Sequence, residues 1–222
     1  MDLRILYEDT HLIVCYKPSG IAVQTQKIGA IDMVSLLKQY LGGAYVAVIH
    51  RLDQPVEGVL VFAKTPFAAK ELNRSLQAGD FGKHYKAVLC EEPKEKKGRL
   101  EDYLVKDART NTSSVALASD NNAKKAVLFY EVEQVWESGT EKRCLANITL
   151  ETGRHHQIRV QMANLGCPIW GDTKYNPFLK QEKGWQKIAL CAYRLEFVHP
   201  KTKKQMNFEI EPEGEGFRLD KC

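Results

Sequence analysis

The first residues that could do chemistry form a short polar cluster, HRLD at 50–53, between two apolar runs. The runs VAVI at 46–49 and VLVFA at 59–63 predict short buried strands, so Asp53 follows a strand and enters a turn that contains proline and glycine. A loop anchored on a rigid strand can present a carboxylate in a fixed orientation. Taken alone, an aspartate near Arg51 is also typical of an ordinary ion pair or a turn cap.

A second polar cluster, TGRHHQIR at 152–159, follows a strand-like segment and precedes a helix with one apolar face. A polar run between a strand and a helix offers backbone amides and positive charge, which suit phosphate. On its own the run is equally typical of a basic surface turn. The adjacent His155 and His156 also suggest metal binding, but no third ligand stands at a recognisable spacing, and catalytic zinc normally takes three protein ligands.

A third candidate is Tyr85, in the strand-like segment around 84–90. A tyrosine in a strand is usually half-buried packing. An aromatic ring can also stack on a base that has left its helix. The spacing of residues does not choose between these two roles.

Composition and charge narrow the class of protein. The chain has 222 residues, of which 44% are hydrophobic and 27% charged, so it predicts a globular fold. It has no apolar run of the roughly 20 residues that a membrane helix needs, and no secretory signal at its start, which predicts a cytoplasmic protein. The net charge of +4 permits a polyanionic partner without requiring one. The six scattered cysteines predict reduced thiols.

The chain lacks the sequence motifs of several common classes of enzyme. The chain contains no GxGxxG, no Walker phosphate loop, no GxSxG and no HExxH, and it lacks the zinc deaminase signature. What remains is an enzyme that needs neither a cofactor nor a metal, or a binding protein.

These residues must be positioned by helices and strands, and the predicted strands outnumber the predicted helices. Short polar links join adjacent predicted strands, which favours antiparallel pairing. The sequence therefore predicts an α+β fold with flanking helices and a mixed, largely antiparallel sheet. The mixed-charge segment 91–99 predicts a solvated loop. Predicted strands lie within 5–16, 46–49, 59–63, 84–90, 126–135, 144–151, 188–198 and 205–211, and predicted helices lie within 31–41, 65–79 and 157–165.

In their order along the chain, the clusters resemble the pseudouridine synthases of the RluA type. The segment HRLDQPVEGVLVFAK at 50–64 is similar to the segment that carries the family's catalytic aspartate, and ILYEDTHLIVCYKPSG at 5–20 is similar to its first motif. Tyr85 matches the active-site tyrosine. The run at 152–172 resembles the third motif, and 194–210 resembles the closing strands. The resemblance covers nearly the whole chain and implies that family's catalytic fold, with a central cleft.

The resemblance implies the isomerisation of uridine to pseudouridine in ribosomal or transfer RNA, without a cofactor, a metal or an obligate protein partner. Asp53 would be the catalytic carboxylate, either attacking C1′ or removing the C2′ proton to give a glycal. Arg159 would pair with Asp53 and keep it ionised. Tyr85 would stack on the uracil, and Arg51 would fill the place of the flipped base or hold a phosphate.

The chain also departs from the family pattern. The family usually has Thr-Ser where this chain has Val56 and Glu57, and in the third motif His155 replaces a threonine and Gln161 a histidine. A glutamate beside an RNA cleft would meet approaching phosphates, so we expect Glu57 to alter substrate choice. Many members carry an amino-terminal S4 domain; this chain begins at the first motif, which predicts one catalytic domain over 1–222 without S4.

Three other interpretations stay open at this point. The first is an RNA-binding or ribosome-assembly protein that keeps the fold without catalysis. The second is a glycosidase-like hydrolase that releases free uracil. The third is a metal-dependent enzyme at His155 and His156.

Overall fold

A computed structural model describes residues 3–27, 29–138, 141–179 and 187–218. The described part contains strands β1 (Arg4–Glu8), β2 (Leu12–Lys17), β3 (Ala47–Val48), β4 (Glu57–Ala63), β5 (Gly82–Leu89), β6 (Lys97–Asp107), β7 (Thr112–Ala116), β8 (Lys124–Ser138), β9 (Glu141–Leu150), β10 (Leu190–Val198) and β11 (Gln205–Glu209), and helices α1 (Met33–Tyr40), α2 (Pro66–Ala78) and α3 (Gln157–Asn164). The predicted α+β class with a mixed, mostly antiparallel sheet is confirmed.

The chain divides into two compact units, each made of two chain segments. The first unit comprises Met1–Lys83 and Cys191–Pro212, and the second comprises His84–Leu190 and Glu213–Cys222. The single catalytic domain over 1–222 stays a prediction.

The first unit is built around two buried strands, β2 and β4. They pair antiparallel, with Leu12 opposite Ala63 and Lys17 opposite Gly58. Every residue of both strands is buried, which explains why the sequence shows continuous apolar runs there instead of alternation. Strands β1 and β3 pair antiparallel with β2 and β4 respectively, β10 pairs parallel with β4, and β11 pairs antiparallel with β10.

Of the two helices of the first unit, α2 begins and ends as the sequence predicts, whereas α1 begins two residues after Ile31, which the sequence placed on its apolar face and which is 65% exposed. Helix α1 begins after Asp32, whose carboxylate accepts from the backbone N–H of Ser35 at 2.7 Å. Helix α2 has Thr65 as its N-cap, Pro66 as its first residue and Gly79 in the left-handed region at its end. Both capping patterns are local, so they are readable without tertiary structure.

The second unit is an antiparallel sheet with strand order β5-β9-β8-β6-β7. Helix α3 follows β9 after a six-residue polar link, 151–156. The sequence places Ile158, Met162 and Leu165 on one apolar face, and the first two are buried. Leu165 is 36% exposed because it lies at the C-cap, where the helix ends.

Two strands of the second unit differ from the sequence prediction. The segment 91–99 was expected to be a solvated loop, but β6 begins within it at Lys97. Its charged side chains lie on an open strand surface and pair with neighbours, as in the ion pairs of Glu101 with Arg99 and Lys125. The polar strand β7 carries no apolar alternation and was not predicted.

Within the described ranges, no helix is long and apolar enough to cross a membrane.

Gly58 is a position where the fold of the first unit can be tested. Its φ is +146°, and a Cβ built there would lie 2.5 Å from the backbone oxygen of Ala192 on β10. We expect Gly58→Ala to lower the free energy of unfolding by about 3 kcal/mol, because it adds backbone strain and a steric clash. Urea denaturation of the purified protein measures the change.

Gly79→Ala is the matched control, since Gly79 also has a positive φ of +84° but open space around its Cβ position. We expect it to cost about 1 kcal/mol from conformation alone. Equal losses in the two variants would contradict the close approach of β10 to Gly58.

Candidate functional site

The loop between β3 and β4 carries the predicted catalytic carboxylate. Leu52 is buried and anchors the loop, whereas Arg51 is exposed and Asp53 is half-buried. The backbone N–H of Val56 donates to the carbonyl of Asp53 at 3.0 Å and closes a tight turn. The two side chains flanking Leu52 are therefore those with access to a ligand, in an otherwise packed segment.

The segment KPSG at 17–20 clamps this loop directly after Asp53. The backbone N–H of Gly20 donates to the carbonyl of Gln54 at 2.9 Å, and the Gln54 side-chain amide donates back to the Gly20 carbonyl at 2.9 Å. The Ser19 hydroxyl donates to the carbonyl of Pro55 at 2.7 Å. Three hydrogen bonds thus join residues 54 and 55 to one turn, which limits the movement of Asp53.

Lys17 adds a fourth hydrogen bond to this clamp from the interior. Its side chain has no exposed surface, and its Nζ donates to the carbonyls of Pro18, Ile21 and Gln54 at 3.0, 2.7 and 3.1 Å. Burial lowers the pKa of Lys17 to about 7, against the opposing effect of the negative charges of Asp53 and Glu57. Lys17 therefore joins the end of β2 to the Asp53 loop.

Glu57 lies at the start of β4 and is 4% exposed. Its Oε2 accepts a hydrogen bond from the Tyr16 hydroxyl at 2.6 Å, and both groups of this contact are buried. The sequence suggested that Glu57 meets approaching phosphates. The structure instead turns the carboxylate into the interior of the first unit, because position 57 belongs to a strand whose residues are all buried.

In the second unit, Tyr85 lies on β5 opposite Ile148 of β9, and it is 8% exposed. The backbone of Tyr85 is fixed by the antiparallel pairing of β5 with β9. The packing role and the stacking role that the sequence left open are both compatible with this position.

Arg159 lies on α3 and forms a buried ion pair with Asp172. Its Nε donates to Asp172 Oδ2 and its Nη2 to Asp172 Oδ1, both at 2.8 Å. This two-point geometry fixes the plane of the guanidinium as well as its position. It uses two of the five N–H donors that an arginine carries.

Asp172 is the partner of Arg159 that sequence reasoning missed. It is 1% exposed, and its Oδ1 also accepts from the backbone N–H groups of Lys174 and Tyr175, at 3.0 and 3.3 Å. The Tyr175 ring lies beneath the Arg159 guanidinium, with 5.1 Å from Cζ to the ring centroid. The available signal was the Gly-Asp pair that ends the motif at 152–172, to which no partner was assigned.

The link before α3 is held by the side chain of Gln157, since the N-cap residue His156 makes no side-chain cap hydrogen bond. The Gln157 Oε1 accepts from the Arg154 backbone N–H at 2.9 Å and the Thr152 hydroxyl at 2.8 Å, and its Nε2 donates to the Val127 carbonyl at 3.0 Å. His156 precedes it with φ +53°. These contacts set the direction in which α3, and with it Arg159, leaves the sheet.

The two adjacent histidines do not fit a metal site. The His155 Nδ1 lies 2.8 Å from the Ser113 hydroxyl and its Nε2 lies 3.2 Å from Asn111 Oδ1, so both ring nitrogens have protein partners. The His156 Nδ1 lies 2.6 Å from the Tyr175 hydroxyl, and burial together with the charge of Arg159 lowers the pKa of His156 to about 2. In the part of the chain that is described, no group of three His, Cys, Asp or Glu residues could hold a metal ion.

The four predicted site residues divide evenly between the units. Arg51 and Asp53 share one loop of the first unit, and Tyr85 and Arg159 lie on β5 and α3 of the second. The pairing of Asp53 with Arg159 stays a prediction.

Known proteins resemble this chain in sequence. Residues 11–164 match the family model described as RNA pseudouridylate synthase. Ribosomal large subunit pseudouridine synthase D of Zymomonas mobilis is 31% identical over 225 residues, covering 94% of this chain and 69% of the relative. The tRNA pseudouridine synthase C of Haemophilus ducreyi is 33% identical over 221 residues, covering 93% of this chain and 89% of the relative.

The fold also has a solved counterpart. Human RNA Pseudouridylate Synthase Domain Containing 1 superposes with a TM-score of 0.80 at 19% identity, covering 95% of this chain and 84% of that chain. At this identity the likeness shows a shared fold.

The Arg159–Asp172 pair makes a prediction about the stability of the second unit. We expect Asp172→Asn to lower the free energy of unfolding by about 3–5 kcal/mol, because the buried guanidinium loses the charge that balances it at Nε and Nη2. Chemical denaturation measures the loss.

The exposed ion pair of Lys187 with Glu215 offers the control, since both of its side chains are more than half exposed. Glu215→Gln should leave the denaturation midpoint unchanged. If Asp172→Asn behaved like this control, the buried pair would not stabilise α3.

Proposed function

The chain belongs to the RNA pseudouridylate synthase family, and from this premise we propose that it isomerises uridine to pseudouridine in RNA with Asp53 as the catalytic carboxylate. The observation that carries the proposal is the clamp on the Asp53 loop. Lys17, Ser19 and Gly20 donate three hydrogen bonds to the carbonyls of Gln54 and Pro55, directly after the carboxylate, and the Gln54 side chain donates a fourth to the Gly20 carbonyl. A reaction that depends on one oriented carboxylate requires such a rigid support.

The proposed reaction exchanges one bond to the sugar for another. The N1–C1′ bond of uridine breaks, the uracil turns within the site, and C5 bonds to C1′ while C5 loses its proton and N1 gains one. The product is an isomer of the substrate, so the atoms balance without a co-substrate. Positive charge develops at C1′ as the first bond breaks, and the negative charge of the Asp53 carboxylate would stabilise it. Attack at C1′ and removal of the C2′ proton are both chemistry that a carboxylate can do.

Arg159 is proposed to hold Asp53 ionised and oriented. Its two-point pair with Asp172 supports this role, because a guanidinium whose plane is already fixed loses little freedom on binding a second carboxylate. Asp172 is then a positioning residue that acts through Arg159.

Tyr85 and Arg51 are proposed to handle the nucleotide. Tyr85 would stack on the uracil that has left the RNA helix, with its position fixed by the strand pairing of β5. Arg51 is exposed and two residues from Asp53, so it can take the place of the flipped base or bind a phosphate.

The proposed substrate is ribosomal or transfer RNA, in the cytoplasm. The two relatives are named for those RNAs, one for the large ribosomal subunit and one for tRNA. Five free cysteines in the described part, Cys15, Cys90, Cys144, Cys167 and Cys191, suit a reducing compartment. The alternative of a silent RNA-binding protein is not favoured, since both relatives are named as synthases.

The first test of the function is tritium release from RNA that carries uridine labelled at C5. The purified chain should release tritium to water, because C5 loses its hydrogen when it bonds to C1′. We expect Asp53→Asn to reduce the rate at least about 10⁴-fold, since the amide supplies neither a negative charge nor a nucleophile. Release at the wild-type rate by Asp53→Asn would refute the assignment of the carboxylate.

Asp80→Asn is the matched control, because Asp80 is an exposed aspartate of the same unit. Its rate should equal that of the wild type. Nucleoside analysis of the reacted RNA completes the test: pseudouridine is expected, whereas free uracil with an abasic site would show the glycosidase-like hydrolase.

Tyr85 allows the stacking role to be separated from a role of its hydroxyl. We expect Tyr85→Phe to keep RNA affinity within about twofold, because the phenyl ring still stacks, and Tyr85→Ala to weaken binding of a flipped base by about 1–3 kcal/mol. Filter binding measures both affinities. Equal affinities for the two variants would mean that Tyr85 packs the strand without touching the base.

A further inference from the structure

His155 is a histidine that neither the family pattern nor the proposed reaction explains. It stands where the family usually has threonine, and both of its ring nitrogens have partners in the hairpin of β6 and β7. The amide oxygen of Asn111 can only accept, so His155 Nε2 donates to it over 3.2 Å. In the neutral ring, Nδ1 then accepts from the Ser113 hydroxyl over 2.8 Å. One imidazole thus joins two residues of the hairpin to the link before α3.

Strand β7 is held largely by polar contacts. It is the last strand in the order β5-β9-β8-β6-β7, and apart from the buried Ser113 its residues are half-buried or exposed. Burial of apolar surface therefore contributes little to fixing its place. The turn after α3 contacts the hairpin twice. The Ser113 backbone N–H donates to the Tyr175 hydroxyl at 2.8 Å, and Lys174 Nζ donates to the Asn111 carbonyl at 2.8 Å.

Tyr175 connects the hairpin to Arg159. Its hydroxyl accepts from the Ser113 backbone N–H and lies 2.6 Å from His156 Nδ1. Since burial and the charge of Arg159 lower the pKa of His156 to about 2, this nitrogen is a neutral acceptor, and the hydroxyl donates to it. The ring of Tyr175 lies beneath the guanidinium, 5.1 Å from Arg159 Cζ. A displacement of Ser113 would therefore be transmitted through Tyr175 to the face of Arg159.

A threonine at position 155 could not make the same attachment. Its single hydroxyl oxygen is one bond from Cβ, whereas the two ring nitrogens of histidine are two and three bonds from Cβ and separated from each other. One hydroxyl therefore cannot reach both Asn111 and Ser113 from the backbone position that His155 occupies. The departure from the family pattern adds a two-point contact between the hairpin and the start of α3.

We propose that His155 is a positioning residue that fastens β7 to the start of α3 and so holds the Tyr175 ring against the Arg159 guanidinium. This inference rests on the proposed function, since its consequence is the orientation of the arginine that is proposed to hold Asp53. The effect of His155 on the reaction passes through Ser113 and Tyr175.

The first test does not depend on activity: it is hydrogen exchange of the Ser113 backbone amide, followed by NMR. His155→Thr should speed this exchange about 10-fold, because the bond from Ser113 to Tyr175 opens more often when β7 is released. The amide of Ile148, within the sheet on β9, should exchange at its wild-type rate. An unmoved rate at Ser113, or equal acceleration at Ser113 and Ile148, would overturn the proposal.

His155→Gln is the conservative variant for the same measurement. Its side-chain amide offers one donor and one acceptor in place of the two ring nitrogens. Exchange at Ser113 should therefore stay within about twofold of the wild type. Acceleration equal to that of His155→Thr would show that the two hydrogen bonds do not fasten the strand.

The second test is the kinetics of tritium release, with kcat and KM measured separately. His155→Thr should lower kcat about 10-fold and leave KM within about twofold, because a displaced Arg159 affects the reacting carboxylate more than the binding of RNA. A raised KM with an unchanged kcat would place His155 in RNA binding and overturn the proposal.

A double-mutant cycle tests whether the effect passes through Tyr175. Tyr175→Phe keeps the ring beneath Arg159 and removes the hydroxyl that joins it to Ser113, so it should lower kcat by a factor similar to that of His155→Thr. With this connection already cut, adding His155→Thr should cost no further kcat. Losses that multiply in the double variant, or full kcat in Tyr175→Phe, would contradict the proposed route.

Ser113→Ala and Ser114→Ala form a matched pair on β7. The first removes the hydroxyl that donates to His155, and the second removes an exposed hydroxyl one residue further along the strand. We expect kcat to fall at least about threefold in Ser113→Ala and to stay at the wild-type value in Ser114→Ala. Equal kcat values in the two variants would overturn the proposal. This pair also decides the matter if His155→Thr does not fold, because each member loses one hydroxyl only.

The outcome for Asp53→Asn separates the two levels of the argument. An inactive Asp53→Asn, together with an unmoved Ser113 exchange rate in His155→Thr, refutes this inference alone. An active Asp53→Asn refutes the proposed function, and the exchange rate at Ser113 then still decides whether His155 fastens β7.

Discussion

A fully buried ammonium is the constraint around which the first unit is arranged. Lys17 ends the buried strand β2, and its Nζ must find acceptors in a region without water. It finds them in three backbone carbonyls, one of them at Gln54. A single lysine thus makes the conformation of the turn at 18–21 depend on the conformation of the Asp53 loop. Two sequence segments far apart in the chain become one local structure.

The second unit uses a buried cation in a comparable way. The guanidinium of Arg159 is held by Asp172, and Asp172 is held in turn by backbone N–H groups of the turn that follows it. In both units a charged side chain on one element fixes a polar segment elsewhere in the sequence. Such arrangements stabilise little in net terms, because desolvation offsets the attraction, but they tolerate few alternative geometries. A buried ion pair of this kind therefore suits a side chain, such as that of Arg159, that must keep one orientation.

The sequence predicted what is local and missed what depends on tertiary partners. Helix α2 was predictable because Thr65 and Gly79 mark its ends by their own chemistry, whereas the Asp32 cap that starts α1 was not recognised in the sequence. The start of β6 at Lys97 was not predictable, because mixed charge is compatible with either a loop or an open strand surface. The roles of Arg51, Asp53, Tyr85 and Arg159 came from the family resemblance and stay predictions. The partnership of Arg159 with Asp172 lay outside any spacing rule, since the two residues meet only through the turn after α3.

Glu57 shows how a departure from a family pattern acquires a physical meaning. By sequence it is a negative charge close to a site that receives RNA, which would repel the substrate. The register of β4 turns it inward, where its carboxylate accepts a hydrogen bond from the Tyr16 hydroxyl. A carboxylate at this position does not meet solvent, because every residue of β4 is buried, and the Tyr16 hydroxyl gives it a hydrogen-bond donor there. The departure from the family pattern at position 57 therefore acts on the interior of the first unit, beside Tyr16, and not on the surface where the sequence suggested that phosphates approach.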